Sequence, residues 1–303
     1  MKVLLIVNLS ASSVTARSRV VIQKALSADH DVSVAETSRR GHAARLAQGA
    51  AARGTDLVVV LGGDGTLNEA ANGLAGSDTA LAPLPGGSTN VFARTIGLPD
   101  DPVEATAALL DALARGAIRR VGLGSVNKRY FLFHCGIGFD AAVVAQVERR
   151  GHLKRYAGHP LFMFAAVDTW LRHYDRKHPH FSVHHSDGTV IDDGYFAICF
   201  NTDPYTYLGT RPLNVAPSAT LDSRLTMVTI RTLRLARLLG LVGDALRRGG
   251  LRARKGVDVH EDVAELTVTS QRPFPYQVDG DYLGEVTQLR FRYEPDVINL
   301  VVP

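Results

Sequence analysis

Apolar residues in the first third of the chain come as short runs separated by stretches of helical spacing. The run Lys2 to Val7 predicts a buried first strand, followed by a helix over Ala16 to Leu26 and a strand over Asp31 to Glu36. A second helix is expected from about Gly41 to Arg53, leading into the strand Asp56 to Leu61. Strands that alternate with helices predict a parallel sheet covered by helices. A further apolar stretch, Thr79 to Pro83, precedes a glycine turn, and the Ala-rich segment Pro102 to Arg115 has helical spacing with few breakers. The α/β layer is expected to end near Arg120.

Beyond that point the pattern changes to short β-type runs divided by turn residues. They are Arg119 to Val126, Arg129 to Gly136, His180 to His185, Gly194 to Phe200, Leu225 to Thr229, Glu265 to Ser270 and Leu289 to Tyr293, which predicts an all-β layer. Two helical stretches interrupt it: Ala141 to Trp170, with a break near Gly158-His159-Pro160, and Leu233 to Arg248. Val297 to Val302 is apolar enough to be buried and is expected to return to the first layer. The domains expected are therefore residues 1–120, residues 121–293 and a returning segment, 294–303, with no internal repeat and no long linker.

Composition narrows the classes. The 303 residues are 46% hydrophobic and 21% charged, the range of a folded globular protein rather than a disordered or collagen-like one. Thirty-four Lys and Arg against thirty Asp and Glu leave +4, a mild excess that favours anionic ligands or membrane surfaces and is low for a nucleic-acid binder. Cys135 and Cys199 each sit in an apolar run and read as buried free thiols, so sulfur-based metal binding is excluded. The opening apolar run is too short for a secretory signal, and no stretch is long enough to span a bilayer. A cytoplasmic protein is expected, with any membrane contact peripheral.

The chemistry concentrates in two glycine loops. In Val58-Val59-Val60-Leu61-Gly62-Gly63-Asp64-Gly65-Thr66-Leu67-Asn68-Glu69 a buried strand meets three glycines and a carboxylate before a helix starts. Glycines let the backbone turn sharply and approach a ligand closely, and the N–H groups opening the helix attract anionic oxygens. Thr66 is the expected cap. Asp64 beside a polyphosphate would be repelled unless magnesium sits between them or a substrate hydroxyl gives it a proton, and both belong to phosphoryl transfer. A plain strand-to-helix turn is the alternative. The second loop, Leu84-Pro85-Gly86-Gly87-Ser88-Thr89-Asn90-Val91-Phe92-Ala93-Arg94, follows the next apolar segment, and Gly87, Ser88 and Asn90 are placed to grip the nucleotide from the other side.

Together these loops resemble the catalytic domain of the diacylglycerol kinase superfamily, in its bacterial soluble lipid kinase branch, which includes the sphingosine kinases. The resemblance runs in order through Thr37 with Gly41-His42-Ala43, Gly62 to Glu69, Pro85 to Arg94, Gly136-Ile137-Gly138-Phe139-Asp140, Ala216-Pro217 to Leu225, and Val278-Asp279-Gly280-Asp281. It implies a three-layer α/β, phosphofructokinase-like nucleotide-binding domain, a β-sandwich domain, and a cleft where a lipid hydroxyl meets the γ-phosphate of ATP. It also implies that Asn8, Thr37, Gly63, Asp64, Gly65, Thr66, Leu67, Asn68, Glu69 and Ser88 contact ATP, with Asp64 close to the phosphates and Mg2+. Asp281, where the family usually carries Glu, is implied as the base for the acceptor hydroxyl, shared with Asp64 as candidate. Asp222, with the carbonyls of Ala219 and Arg224, matches a structural magnesium site. The first loop departs from the family's Asn-Pro-x-Ser-Gly, reading Asn8-Leu9-Ser10-Ala11-Ser12, and Ser88 stands for the family Thr.

The activity implied is ATP- and Mg2+-dependent phosphorylation of a lipid hydroxyl, of diacylglycerol or a related amphiphile. A kinase of NAD or another small polyol, and a nucleotide- or lipid-binding protein without turnover, are the alternatives. Soluble members of the family are often dimers, so a homodimer is expected. Asp140 either orients the acceptor hydroxyl or caps the helix after it. Leu233 to Arg248, basic on parts of a helix and apolar elsewhere, either lies on an anionic bilayer at the inner face of the membrane or packs on the β layer with a solvated basic face. Arg149, Arg150, Lys154 and Arg155 form a second basic cluster. His134, His159, His173, His178, His180, His184 and His185 show no metal-ligand spacing and are expected at the surface or in turns.

Overall fold

The computed structural model describes residues 1–149, 158–247 and 249–303; Arg150, Lys154, Arg155 and Arg248 of the basic clusters lie outside the described residues. The chain divides into two compact units, Met1–Leu123 with Glu294–Pro303, and Gly124–Tyr293.

In the first unit β1 (Lys2–Val7), β2 (Asp31–Glu36), β3 (Leu57–Gly62) and β4 (Ala80–Pro85) are all parallel, in the order β4-β3-β1-β2. The carboxyl end of the last strand, β16 (Asp281–Val301), adds beside β4, with Asn299 opposite Ala80 and Leu300 opposite Leu81. The interior strands β3 and β4 are buried at every position, as a sheet covered on both faces requires, whereas the edge strand β2 is half exposed. α1 (Ala16–Leu26) opens on a capping box of Thr15 with Ser18, and α5 (Pro102–Ala114) on Asp101 followed by Pro102. Between them lie α2 (His42–Ala52), α3 (Asp64–Leu74) and α4 (Val91–Thr95), the last not expected from the sequence.

Strand order dictates where a ligand can bind. The chain steps outward from β1 to β2, then turns back past β1 to β3 and on to β4. Right-handed crossovers therefore put α1 on one face and α2 and α3 on the other. The contacts agree: α2 packs on α3, and α1 on α5. The reversal leaves a switch point between the carboxyl ends of β1 and β3, the place where an open parallel sheet has room for a ligand. The Asn8 loop and the Gly62 loop start there.

The second unit is built on β5 (Ile118–Val126, running on from the first unit), β6 (Arg129–Phe131), β7 (His134–Gly138), β8 (Phe181–His185), β9 (Val190–Gly194) and β10 (Phe196–Phe200). A small hairpin β11 (Thr206–Leu208) with β12 (Arg211–Leu213) follows, then β13 (Leu225–Ile230), β14 (Val257–Val263), β15 (Glu265–Val278) and most of β16. The long β15–β16 hairpin shifts register between Thr269 and Phe274. Before the shift β15 pairs with β8, Leu266 opposite His185; after it, with β7, Tyr276 opposite Ile137. One hairpin thus feeds two layers, β8-β9 and β7-β10-β13-β14. Val183, Ile191, Leu266 and Val268 from the first and Cys135, Ile137, Cys199 and Met227 from the second fill one core. Both cysteines are free and buried.

Helices α6 (Phe139–Arg149) and α7 (Gly158–Asp168), a π-helical turn Thr169–His173, and α8 (Leu235–Ala245) complete the unit. Leu241 and Ala245 of α8 pack on Ile198, Phe200, Val228 and Ile230. The expected run Arg129 to Gly136 is broken at Leu132 and Phe133, whose N–H groups turn to a side chain instead of a neighbouring strand. His134 and His185 correct the expectation of surface or turn histidines: they are 3% and 7% exposed.

Candidate active site

At the switch point three loops of the first unit are tied into one surface. Asn8 donates from its side-chain amide to Thr66 Oγ1 at 2.8 Å, and its backbone N–H to the Leu61 carbonyl at 3.0 Å. Thr66 is held by Asn8 across the loops, and α3 begins at Asp64 with no side-chain cap. Thr66 N–H closes on the Gly63 carbonyl at 3.0 Å, while Gly65 N–H at the opening of the helix is placed to meet an anion. Ser13 reaches the second glycine loop, from N–H to the Gly86 carbonyl at 2.9 Å and from Oγ to the Gly87 carbonyl at 3.0 Å.

The glycines are needed because the two loops touch backbone to backbone. Gly86 N–H donates to the Gly62 carbonyl at 2.9 Å. A Cβ on Gly86 would lie 2.8 Å from Gly62 N, and one on Gly87 2.8 Å from Gly63 Cα. Asn90, 3% exposed and at φ +49°, wraps the second loop: its Oδ1 accepts from Gly86 N–H and Gly87 N–H at 3.1 and 2.7 Å, and its amide donates to Asp100 Oδ1 at 2.8 Å. Ser88, between them, is exposed.

Asp64 joins the two loops. Its Oδ2 accepts from Val91 N–H at 3.0 Å and its Oδ1 from Phe92 N–H at 3.1 Å, so it supplies the cap that α4 lacks from its own Asn90. Glu69 does the same one turn on: its oxygens accept from Gly41 N–H at 2.6 Å and Ala43 N–H at 3.1 Å, where α2 opens without a side-chain cap. Thr37 follows β2, its N–H on the Val7 carbonyl at 2.9 Å. Leu67 and Asn68 are buried on α3, at 4% and 1% exposure. The cradle is thus main chain and hydroxyl at its surface, with carboxylates spent on helix N-termini beneath.

In the second unit the acids are buried among side chains. Asp140, 7% exposed at the start of α6, accepts from Tyr205 Oη at 2.5 Å and from Gln277 Nε2 at 2.9 Å. Burial pushes its carboxyl above the usual range, only partly offset by the two donors, and the Tyr205 phenol is pushed well up by burial and by Asp140 beside it. A Cβ on Gly136 would lie 1.6 Å from Asp140 Oδ2, so this glycine makes the room for the carboxylate. Gln277 Oε1 in turn accepts from Gly280 N–H at 2.8 Å. Tyr205, Asp140, Gln277 and the Asp279-Gly280 turn are therefore one hydrogen-bonded chain.

That turn has positive φ at both Asp279 (+48°) and Gly280 (+80°), the geometry of the tight two-residue hairpin that Asp-Gly favours. The Asp279 carboxylate, 3% exposed, accepts from Leu132, Phe133 and His134 N–H at 2.7, 3.0 and 3.1 Å. Asp281 follows at the first position of β16, opposite Val278, half-buried. Its neighbour Tyr282 donates its N–H to Glu148 Oε1 of α6 at 3.0 Å. Sequence reasoning quoted Asp279 within a motif and missed Tyr205 and Gln277 altogether; their partners lie far along the chain.

Asp222, Ala219 and Arg224 share one turn. The Ala219 carbonyl accepts from Asp203 N–H at 2.9 Å, and the Arg224 guanidinium pairs through two nitrogens with Asp262, each at 2.8 Å. One carboxylate with main-chain carbonyls is an all-oxygen set, which suits a hard cation that keeps several waters. Asp203, another residue the sequence did not single out, accepts from Val215 and Ala216 N–H at 2.7 and 2.8 Å, and burial raises its carboxyl to about 6. Among the described residues no group of three or more His, Cys, Asp or Glu gathers as a metal centre.

Comparison with known proteins places the likeness in the first unit and in the overall fold. Residues 2–126 match the diacylglycerol kinase catalytic domain family. The chain is 39% identical over 120 residues, 39% of each chain, to a diacylglycerol kinase of Bacillus subtilis (strain 168). With a "probable lipid kinase YegS-like" of Pseudomonas aeruginosa (strain UCBPP-PA14) it shares 29% identity over all of this chain and 94% of the other. A crystal structure of a diacylglycerol kinase from Bacillus anthracis str. Sterne superposes with a TM-score of 0.72 at 21% identity, covering 100% of this chain and 97% of that one. An NAD kinase from Archaeoglobus fulgidus in complex with ATP shares the fold at a TM-score of 0.54 and 12% identity, over 99% and 93%. No helix among the described residues is long and apolar enough to cross a membrane.

Proposed function

We propose that the protein is an ATP- and Mg2+-dependent lipid kinase that transfers the γ-phosphoryl group to a hydroxyl of diacylglycerol or a related amphiphile. The observation that carries this reading is the pair of glycine loops at the switch point, fixed to each other by Asp64 and by the Gly86–Gly62 backbone bond, with the second loop wrapped by Asn90, so that glycine backbone and small hydroxyls form their surface. Such a surface recognises phosphate oxygens without side-chain motion, and a preorganised array of donors is what a phosphoryl transfer state needs. Gly62, Gly63, Gly65, Thr66, Gly87 and Ser88 would line the phosphates, with Asn8 and Thr37 bordering them. Leu67, Asn68, Glu69 and Asn90 act by holding α3, α2 and the second loop in place.

In the reaction the acceptor oxygen bonds to the γ-phosphorus, the bond from that phosphorus to the β,γ-bridging oxygen breaks, ADP leaves, and the hydroxyl proton passes to a carboxylate. Asp281 is assigned as that base from its place after the Asp-Gly turn. Asp64 is anchored through both oxygens and is assigned to positioning the loops; its remaining lone pairs suit an outer contact to Mg2+. The cation would offset phosphate charge when bound. Asp140, bonded to Tyr205 and Gln277, holds the Asp279-Gly280 turn and through it the base.

The test is ADP release and product mass with ATP and Mg2+ against diacylglycerols, sphingoid bases, NAD and polyols. A phosphorylated glycerolipid formed by the wild-type protein, and lost in Asp64→Asn and in Asp281→Asn variants that keep their melting temperature, is the expected result. Full lipid phosphorylation by both variants overturns the assignment, and NAD as the acceptor overturns the substrate class.

A further inference from the structure

α6 holds two acids, Asp140 and Glu148, in a sequence that otherwise buries Ala141, Val143, Val144, Gln146 and Val147. Eight residues part them, about 12 Å of helix rise. Packing on the β layer explains the apolar positions. It does not explain a half-buried carboxylate two turns on from Asp140.

Both acids lead to one hairpin, on opposite strands of it. Asp140 Oδ2 accepts from Gln277 Nε2 at 2.9 Å, and Gln277 Oε1 accepts from Gly280 N–H at 2.8 Å. Glu148 Oε1 accepts from Tyr282 N–H at 3.0 Å. Gln277 and Tyr282 stand opposite each other in the β15–β16 register, and Val278 to Asp281 close the hairpin between them. The residues just before and just after Asp281 are therefore each held by a main-chain N–H, and both lines of bonds end on α6. Tyr282 lies against the same stretch of helix: its phenol is raised by burial and by Glu285 and Glu148, with Arg149 opposing.

An aspartate carries its carboxylate one methylene from the main chain, so the backbone decides where it stands. A base must come within hydrogen-bond reach of the proton it takes. Gly280, at φ +80°, is a point where the chain turns freely, so an anchor before Asp281 alone leaves the start of β16 able to pivot there. A second anchor, at Tyr282, removes that freedom.

We propose that Glu148 is a positioning residue for phosphoryl transfer: from α6 it holds the Tyr282 backbone, so that Asp281 meets the acceptor hydroxyl at a fixed place. The inference rests on the lipid-kinase reading and its assignment of Asp281 as base. Glu148 contacts neither nucleotide nor acceptor in this role, and what the role requires is an acceptor oxygen at that point rather than a negative charge.

Two measurements on the full chain test it. Amide hydrogen exchange reads the anchor without turnover. In Glu148→Ala the Tyr282 amide should lose about tenfold or more of its protection, the worth of a hydrogen bond to a charged acceptor, and Glu148→Gln, which keeps an acceptor oxygen, should restore most of it. ADP release with ATP, Mg2+ and diacylglycerol reads the consequence. In Glu148→Ala kcat should fall between about tenfold and about a hundredfold with KM for ATP within about twofold of wild type, and in Glu148→Gln kcat should recover to within about threefold. If Glu148→Ala melts early, Glu148→Leu, which keeps the bulk and lacks the acceptor, has the same expected results.

Unchanged Tyr282 exchange or unchanged kcat in the variants without an acceptor overturns the proposal. So does a Glu148→Gln variant as impaired as Glu148→Ala, for then the charge is needed and not the anchor, and so does a loss confined to KM. A wild-type chain that phosphorylates no acceptor removes the kinase reading and the positioning role with it, even where the exchange result stands.

Discussion

The acids of the two units do the same kind of work in opposite surroundings. In the first, Asp64 and Glu69 lie within one α3 turn of the glycines and cap the helices α4 and α2, so the loops above them are fixed by short main-chain bonds. In the second, Asp140 and Asp279 are sealed among β-strands, and their donors come from more than 130 residues away for Gln277 and for the N–H groups of Leu132, Phe133 and His134. A cradle of helix ends tolerates partial loss, because water can replace a missing cap. A buried acid network does not, because nothing replaces its donors or acceptors.

Removing the centre of the buried network should therefore cost most. Asp279→Ala strips the acceptor from three buried N–H groups, and at about 1 to 3 kcal/mol each the loss is at least about 3 kcal/mol in urea unfolding. A smaller effect, about 1 to 3 kcal/mol, is expected for Gly86→Ala, whose Cβ meets Gly62 N at 2.8 Å and forces the loops apart. That variant should also lose ATP binding by calorimetry, whereas Asp279→Ala should lose it only as far as it unfolds.

Acid sharpens the contrast through His134. Burial lowers its imidazole to about 3, and neither ring nitrogen has a partner. The folded state holds it neutral while the unfolded chain takes up a proton near pH 6.5, so its contribution is complete above pH 6.5 and is lost as pH falls toward 3. The expected slope is about 1.4 kcal/mol per pH unit in that window, and His134→Phe should remove it. Asp64→Ala, which only uncaps α4, should be mildest for stability, about 1 kcal/mol, while abolishing ATP binding.

The same contrast explains what could be read in the chain. β1, α1 and β2 fall at the residues the pattern indicates, because a parallel sheet under helices writes its burial into continuous apolar runs. The glycine loops were legible for a similar reason: Gly62 to Glu69 and Pro85 to Asn90 carry their whole local logic within a few residues. That Asp64 would cap α4 was not legible, since it depends on the two loops being adjacent in space.

In the second unit, β14 was missed because Val257–Val263 is an edge strand with His260, Glu261 and Asp262 in it. Glu265 to Ser270 and Leu289 to Tyr293 were read as separate short strands, because the register shift at Thr269 hides one long hairpin. His134 gave no sign of its burial, its cage of Phe133, Phe200 and Tyr205 being assembled from three strands and loops.

The central claim, that the two glycine loops hold the nucleotide's phosphates, is tested most directly by following backbone amide resonances during an ATP titration with Mg2+. The account predicts saturable shifts concentrated at Gly62, Gly63, Gly65, Thr66, Gly87 and Ser88. ATP that binds while those amides stay where they were would contradict it.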